Sequence, residues 1–168
     1  PTTLLRTIRN AVNQWKLNKQ LEQMALYDSL TGLTNRGLFL EKLDQTFNES
    51  SRYKHHFGLM VVDLDKFKSI NDIYGHQAGD YVLQKVAKKL LEALRISDVA
   101  GRLGGDEFIV LLSGLDSVNH VSECAETLLN VFREPFLIDD RTFILTVSIG
   151  IAVFNQDHKD CNCLIDAA

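Results

Sequence analysis

The chain has 168 residues, of which 45% are hydrophobic, so it can bury the core of one domain. Its 18 basic and 22 acidic side chains give a formal net charge of −4, which excludes the polycationic face of a protein that binds a nucleic-acid polymer but allows a single nucleotide. No apolar run is long enough to span a membrane, and no signal-peptide pattern opens the chain.

The first predicted element is a long helix over residues 3–26, which contain no glycine or proline. Its apolar residues recur at steps of three and four up to Trp15, and again from Leu17 to Met24 in a shifted phase. This pattern predicts a helix whose apolar seam shifts once, rather than a strict coiled coil. Such a helix either packs on its own domain or links the domain to an upstream module. We favour the linker, because one face alone is apolar and no strand precedes it.

The remaining elements alternate after a turn-rich segment at 28–35. Hydrophobic periodicity predicts four helices, at 36–49, 66–73, 80–95 and 118–133, with a loop at GHQAGD (75–80). It also predicts strands at 57–65, 136–139 and 142–154, a hairpin around Gly104-Gly105, and a turn at Asp139-Asp140. Interspersed helices and strands around one hairpin indicate an α+β fold with a mostly antiparallel central sheet flanked by helices.

The three cysteines, Cys124, Cys161 and Cys163, cannot all pair with one another, and no secretory signal accompanies them. We therefore interpret them as reduced thiols of a cytoplasmic protein. Cys161 and Cys163 form a C-x-C, which we interpret as incidental because it lacks partners at zinc-site spacing.

Asp106 and Glu107 have an unusual place in the hairpin VAGRLGGDEFIVLL (99–112). Two glycines suit the central positions of a two-residue turn, whereas Asp and Glu are depleted in strands. Asp63 also stands out, at the end of the strand LMVVD. If the two strands are neighbours, Asp63 and Asp106 approach each other, and the crowded carboxylates favour a site for Mg²⁺ that bridges substrate phosphates. Solvated turn acids are the alternative, and spacing alone leaves it open.

Nearby residues have groups that suit a nucleotide. The segment DKFKSIND (65–72) begins a helix directly after the acid-bearing strand, so its free N–H groups can hold phosphate oxygens, with Lys66 and Lys68 beside them. Asn71 and Asp80 flank a glycine-containing segment. A carboxylate accepts from guanine N1–H and N2–H₂, and an amide donates to O6. Taken singly, the lysines would be solvated surface and Asn71 a helix cap.

Four segments together resemble the GGDEF domain of bacterial diguanylate cyclases, over about residues 26–168. They are DSLTGLTNR (28–36), DLDKFKSINDIYGHQAGD (63–80), GRLGGDEF (101–108) and TVSIGIA (146–152). The resemblance implies a fold similar to the nucleotidyl cyclase and polymerase palm core, over residues 27–168, with a signalling or linker helix at 1–26. It also implies a reaction in which two GTP condense to cyclic di-GMP and release two pyrophosphates. Each domain would hold one GTP, so the active unit would be a homodimer, with Mg²⁺ or Mn²⁺ as cofactor.

The resemblance also implies the ligands of the metal ion. Asp63 and Asp106 match the family's metal-binding acids, and the Leu64 carbonyl matches a backbone ligand. Glu107 matches the second acid of the signature, with a role at a second metal ion or in activating the 3′-hydroxyl.

The substrate contacts follow in the same way from the resemblance. Asn71 and Asp80 match the pair that reads guanine. The backbone amides of Lys66 and Phe67 would bind the phosphates, and Lys68 matches a phosphate-contacting lysine.

The segment RISD, with Arg95 and Asp98, ends with five residues between it and Gly104 of the signature, where the resemblance implies an inhibitory product site. An arginine can stack on guanine and donate to its Hoogsteen edge. The alternative is an i,i+3 ion pair at a helix end.

The resemblance also concerns the C-terminal side of the chain. Family members usually continue past LIDAA (164–168) into a basic helix and a final strand, so we expect those two elements to be missing here. An active cyclase within a larger signalling protein is the leading hypothesis. The alternative is a catalytically weak module that binds GTP or cyclic di-GMP and regulates a neighbouring domain. The retained acids favour the enzyme.

Overall fold

The computed structural model describes residues 2–115, 117, 119–138, 141–155 and 160–168. Within these residues, helices and strands alternate along the chain. Their bounds are α1 (Thr2–Leu26), β1 (Thr34–Asn35), α2 (Arg36–Tyr53), β2 (His56–Leu64), α3 (Phe67–Tyr74), α4 (His76–Ala93), β3 (Val99–Gly104), β4 (Glu107–Leu115), α5 (Asn119–Arg133), β5 (Phe136–Ile138), β6 (Arg141–Phe143), β7 (Val147–Val153) and α6 (Cys161–Ala167).

A five-stranded sheet in the order β1-β3-β4-β2-β7 forms the centre of the domain. The neighbours in this sheet are antiparallel, except for the parallel pair of β1 and β3. Strands β5 and β6 form a separate antiparallel pair. The prediction of an α+β fold with a mostly antiparallel sheet is confirmed.

Helices cover both faces of the sheet. Successive side chains along β2 and β4 point to opposite faces, and both sets are apolar, so each face needs a helical layer to bury it. Met60 and Val110 lie in a core cluster with residues of α3, α4 and α5. Leu59 and Ile109 lie in a second cluster with residues of α2 and α6. All four side chains are buried, and each such burial contributes about 1.5–3 kcal/mol. The two central strands are therefore firmly fixed, and so are the residues at their ends.

The long N-terminal helix is present as α1, and large apolar side chains along its described positions are exposed. Ile8, Val12, Trp15, Leu17 and Leu21 are all exposed, Trp15 by 61%. Such exposure is what a linker helix would show, and the linker role stays a prediction. None of the helices in the described part of the chain combines the length and apolar character needed to cross a bilayer.

The loop predicted at 75–80 is wrong. Gly75, with φ of 84°, ends α3, and α4 begins at the next residue, His76. The glycine at position 79 suggested a loop because glycine is a poor helix former. Gly79 instead lies buried inside α4, where the missing side chain lets α3 and α4 pack closely. Tertiary packing therefore overrides local propensity here.

The single strand predicted at 142–154 is also wrong, because residues 144–146 separate β6 from β7. Ile144 is 75% exposed while Leu145 is 3% exposed. The Thr146 carbonyl accepts a hydrogen bond of 3.0 Å from the Asp65 backbone, so this segment pairs with the loop after β2. The predicted turn at 139–140 and the predicted helix start at 118 lie outside the described residues.

The C-x-C cysteines differ in environment. Cys161 is a buried core residue at the start of α6, whereas Cys163 is exposed. Burial and a hydrogen bond to the Asp44 carboxylate raise the pKa of the Cys161 thiol to about 12. A thiol that resists ionisation is a poor metal ligand, so Cys161 is a core residue rather than one half of a C-x-C metal site.

Candidate active site

Asp63 and Glu107 lie side by side at one edge of the central sheet. They are direct partners in the antiparallel pairing of β2 and β4, and Asp63 pairs with Ser148 of β7 on its other side. Because β2 ends and β4 begins at this edge, Glu107, Asp63 and Ser148 lie next to one another on three adjacent strands. Leu64, the last residue of β2, follows Asp63 at the same edge.

The hairpin turn differs by one residue from its predicted position. Gly104 is paired with Glu107, so the two turn residues are Gly105 and Asp106, and not the two glycines. The register shifts between Arg102 and Gly104, and Gly105 has a positive φ of 55°. The shift places Asp106 in the turn itself, half-buried, directly before Glu107.

The carboxylates at this edge are close enough to influence one another. Burial raises the pKa of Asp63, and the charges of Asp106, Glu107 and Asp65 raise it further. The donor atoms are carboxylate oxygens, the ligands that Mg²⁺ prefers. Within the described residues, no three His, Cys, Asp or Glu side chains form a metal cage by themselves. The residues thus fit a Mg²⁺ ion that takes its remaining ligands from substrate phosphates and water.

Asp65 lies next to this cluster and has hydrogen-bond partners of its own. Its carboxylate accepts from the Ser148 hydroxyl at 2.7 Å. Hydrogen bonds from Thr146 and Ser148 hold the pKa of Asp65 below its ordinary value. We therefore assign Asp65 to fixing the loop between β2 and α3.

The start of α3 lies immediately after the acid-bearing strand. Lys66 precedes the helix in the left-handed conformation, with φ of 58° and ψ of 23°, and no side chain caps the helix there. The Phe67 ring is buried, whereas Lys68 is exposed. The Ser69 N–H donates to the Lys66 carbonyl at 2.9 Å, so among the described residues the N–H groups of Phe67 and Lys68 remain available beside the sheet edge.

Asn71 and Asp80 come from two helices that pack against each other. Asn71 is half-buried on α3, and its side-chain amide lies against Gly79 of α4. Asp80 is the next residue along α4 and is exposed. The structure thus brings the two predicted base-reading residues to one contact between α3 and α4.

Arg95 and Asp98 lie far from this cluster, in the loop between α4 and β3. The six residues of β3 separate that loop from the hairpin turn, a distance of about 20 Å. The Asp98 carboxylate accepts from the backbone N–H groups of Arg95 at 3.0 Å and Ser113 at 3.4 Å. The Arg95 side chain is exposed, and no ion pair joins it to Asp98 within the described residues. The alternative of an i,i+3 ion pair is therefore wrong.

A cleft of about 240 Å³ lies beside this loop. Arg95 and Asp98 line it together with Ser113 of β4 and with His120 and Glu123 of α5.

The sequence interpretation missed Arg102 as a residue of the site. Its guanidinium contacts the Asp28 carboxylate at 3.1 and 3.3 Å and donates to the Gly105 carbonyl at 2.7 and 3.0 Å. Asp28 also accepts from the backbone and hydroxyl of Thr31. Burial opposes the ionisation of Asp28, but the bonds from Thr31 and Arg102 outweigh it and lower its pKa. The available signal was a charged residue inside the apolar strand VAGRL, which is as unusual as the acids Asp106 and Glu107.

Comparison with known proteins shows the family to which the chain is similar. The chain matches the family described as "Diguanylate cyclase, GGDEF domain" over residues 25–168. It is 36% identical to the signaling protein YkoW of Bacillus subtilis, over 90% of this chain and 19% of that protein. It is 38% identical to diguanylate cyclase TpbB of Pseudomonas aeruginosa, over 85% of this chain and 33% of that protein.

Among solved structures, the chain is similar to the coiled coil and GGDEF domain of DgcB from Caulobacter crescentus in complex with c-di-GMP. The TM-score is 0.86 at 25% identity, over 98% of this chain and 87% of that one. The chain spans about a fifth to a third of the length of the two curated relatives. Because the family match covers nearly the whole chain outside α1, the protein belongs to the diguanylate cyclase GGDEF domain family.

Proposed function

We propose that this domain is a diguanylate cyclase, a nucleotidyltransferase that condenses two GTP into cyclic di-GMP and releases two pyrophosphates. The observation that carries the proposal is the meeting of Asp63, Asp106 and Glu107 at one sheet edge, where burial and the charges of Asp106 and Glu107 raise the pKa of Asp63. Crowded carboxylates repel one another, and a bound divalent metal ion would offset that cost.

In the proposed reaction, the 3′-oxygen of each GTP bonds to the α-phosphorus of the other. The bond from that phosphorus to the pyrophosphate leaving group breaks, so two phosphodiesters form and two pyrophosphates depart. Each 3′-hydroxyl loses one proton. We assign Glu107, exposed at the sheet edge, either to accept that proton or to bind a second metal ion.

The residues around the sheet edge divide the binding of one GTP among them. The backbone amides of Lys66 and Phe67 and the ammonium of Lys68 would hold phosphate oxygens at the start of α3. Asn71 and Asp80 would read the guanine at the contact between α3 and α4.

The metal ligands in this proposal are the carboxylates of Asp63 and Asp106 with the Leu64 carbonyl. When bound there, Mg²⁺ or Mn²⁺ supplies positive charge that offsets the charge of the reacting phosphates.

One domain holds one GTP in this proposal, so two copies of the chain must face each other during catalysis. The exposed apolar residues of α1 support a homodimer in which this linker helix, residues 1–26, joins the two copies. We further propose that GTP condensation takes place in the cytoplasm, where GTP is available.

We also propose that Arg95 and Asp98 form an inhibitory site for the product. The exposed Arg95 guanidinium beside the cleft supports this role, because Asp98 holds the loop by its backbone contacts and leaves the arginine available. The site is about 20 Å from the acids, so bound product would inhibit without displacing GTP.

The test is to incubate the chain with GTP and Mg²⁺ and to measure cyclic di-GMP and pyrophosphate by chromatography. We expect one cyclic di-GMP for every two pyrophosphates. Asp106→Asn should lower the rate by at least about 100-fold, because it removes a ligand charge. Glu126→Gln, an equivalent charge change at an exposed position of α5, should leave the rate unchanged. Wild-type turnover in a folded Asp106→Asn protein would contradict the proposal.

A further inference from the structure

The contact between Asn71 and Gly79 is unusually close. A Cβ atom at position 79 would lie 1.9 Å from Oδ1 and 2.9 Å from Cγ of Asn71, and 3.1 Å from the end of the Phe67 ring. Real side chains do not approach so closely, so the Asn71 amide occupies the space that any side chain at position 79 would need.

Gly79 is not required by the backbone of α4. It lies inside the helix and is not among the described residues with positive φ. Alanine is the better helix former, so local structure alone would favour alanine over glycine at this position. The reason for the glycine is therefore the neighbouring amide.

Packing alone holds the Asn71 amide in place. In the part of the chain that the structure describes, no protein group hydrogen-bonds to the Asn71 side chain. The amide is half-buried and rests against the helix that carries Asp80. Its donor and acceptor are thus free for a ligand, while its orientation depends on the surface beneath it.

We propose that Gly79 is a positioning residue for base selectivity, because the space left by its missing side chain holds the Asn71 amide in a fixed orientation beside Asp80. This inference rests on the proposed function, in which Asn71 and Asp80 read guanine. Gly79 itself touches no substrate and acts through Asn71.

The geometry predicts how a side chain at position 79 would be accommodated. The clashing atom is the free end of a flexible side chain, so Asn71 can rotate away at little cost to the packing of α3 on α4. The Phe67 ring needs to give by only a few tenths of an ångström. Gly79→Ala should therefore preserve the fold and misplace the amide.

The experiment compares binding of 3′-deoxy-GTP and 3′-deoxy-ATP by calorimetry with Mg²⁺. Both nucleotides lack the attacking hydroxyl, so neither condenses during the titration. We expect the wild type to prefer the guanine nucleotide. Gly79→Ala should weaken binding of 3′-deoxy-GTP by about tenfold, the value of one hydrogen bond, and leave binding of inorganic triphosphate unchanged.

A double-mutant cycle separates positioning from a general structural effect. Asn71→Ala should weaken 3′-deoxy-GTP binding as much as Gly79→Ala does, and the double variant should bind no more weakly than Asn71→Ala alone. Gly37→Ala is the matched control, because Gly37 also lies in the first turn of a helix but its Cβ would make an ordinary contact of 3.4 Å. It should bind 3′-deoxy-GTP like the wild type.

Two results would overturn the inference while leaving the proposed function intact. One is wild-type binding of 3′-deoxy-GTP by Gly79→Ala, and the other is additive losses in the double variant. Unfolding of Gly79→Ala, seen by circular dichroism, would also overturn it, since the clash would then not be absorbed by Asn71. If the wild type fails to prefer guanine, the proposed function itself fails at base recognition.

Discussion

Asp63 is the residue at which the carboxylate cluster can be tested through stability. Burial and the charges of Asp106 and Glu107 raise its pKa, so the folded state holds this proton more tightly than the unfolded state. Stability contributed by this proton is therefore present at low pH and is lost as pH rises through the raised pKa. Above that pH the full cost of the crowded charges remains.

We predict that Asp63→Asn raises the melting temperature at pH 7 without divalent cations and leaves it unchanged near pH 3, where both forms are neutral. Mg²⁺ at about ten times its Kd should stabilise the wild type by roughly 1.4 kcal/mol, or about 3–6 °C, and the variant by less. Thermal melts with EDTA or MgCl₂ measure both effects. A lower melting temperature for Asp63→Asn at pH 7 in EDTA would contradict the assignment.

Arg95 offers a second test at the scale of one residue. If its guanidinium binds the product, Arg95→Ala should lose about 1–3 kcal/mol of cyclic di-GMP affinity and escape inhibition. Arg95→Lys should not restore inhibition, because lysine lacks the planar fork that stacks on guanine. Progress curves with added product check this, with Arg133→Ala on α5 as the control. Equal slowing of the wild type and Arg95→Ala would place the inhibition elsewhere.

At the scale of elements, the sequence predicts the order of helices and strands better than their junctions. Asn35 is a good example of a readable signal, because its side chain accepts from the Leu38 N–H and caps α2. Gly79 and the segment 144–146 have no such local signal. Gly79 is explained by its contact with Asn71 on another helix, and the segment 144–146 by its hydrogen bond with Asp65, which is distant along the chain.

The same limit applies to the site. Asp63 and Glu107 could be recognised from the sequence alone, because acidic residues are unusual in strands. The position of the turn at Gly105-Asp106 depends on the register shift after Arg102, whose guanidinium donates to the Gly105 carbonyl and also contacts the distant Asp28 carboxylate. Sequence pattern alone does not contain that register.

Arg102 joins two elements, the turn after α1 and the signature hairpin. Its side chain is only 12% exposed, and it contacts both Asp28 and the Gly105 carbonyl. We predict that Arg102→Ala lowers the free energy of unfolding by about 1–3 kcal/mol and lowers cyclic di-GMP synthesis in folded protein, because the turn carrying Asp106 loses its tie.

Urea denaturation and initial rates measure the two effects of Arg102→Ala separately. Arg102→Lys should rescue little, since one ammonium cannot donate to both partners in the same geometry. Lys88→Ala, which removes an exposed i,i+4 ion pair on α4, is the control and should change stability by less than about 0.5 kcal/mol. If Arg102→Ala changes stability no more than this control, the tie between the two elements carries no energy.

For the whole molecule, the exposed apolar side of α1 and the binding of one GTP by each domain lead to one expectation about dimerisation. A reaction that needs two facing domains should become faster per chain as protein concentration rises, until the dimer is saturated. Ile8, Val12 and Trp15 are exposed on one side of α1, and burying them against a second copy would supply the apolar contact that the monomer lacks.

We predict that activity per chain rises from nanomolar to tens of micromolar protein. Val12→Asp should shift this rise to higher concentration by about tenfold or more, because a charge on the seam must be desolvated in the dimer. Asn10→Asp, which lies on the opposite side of the helix from that seam, should leave the curve unchanged. Sedimentation velocity at the same concentrations reports the dimer fraction directly. Activity that stays constant per chain while the protein remains monomeric would contradict the requirement for two domains.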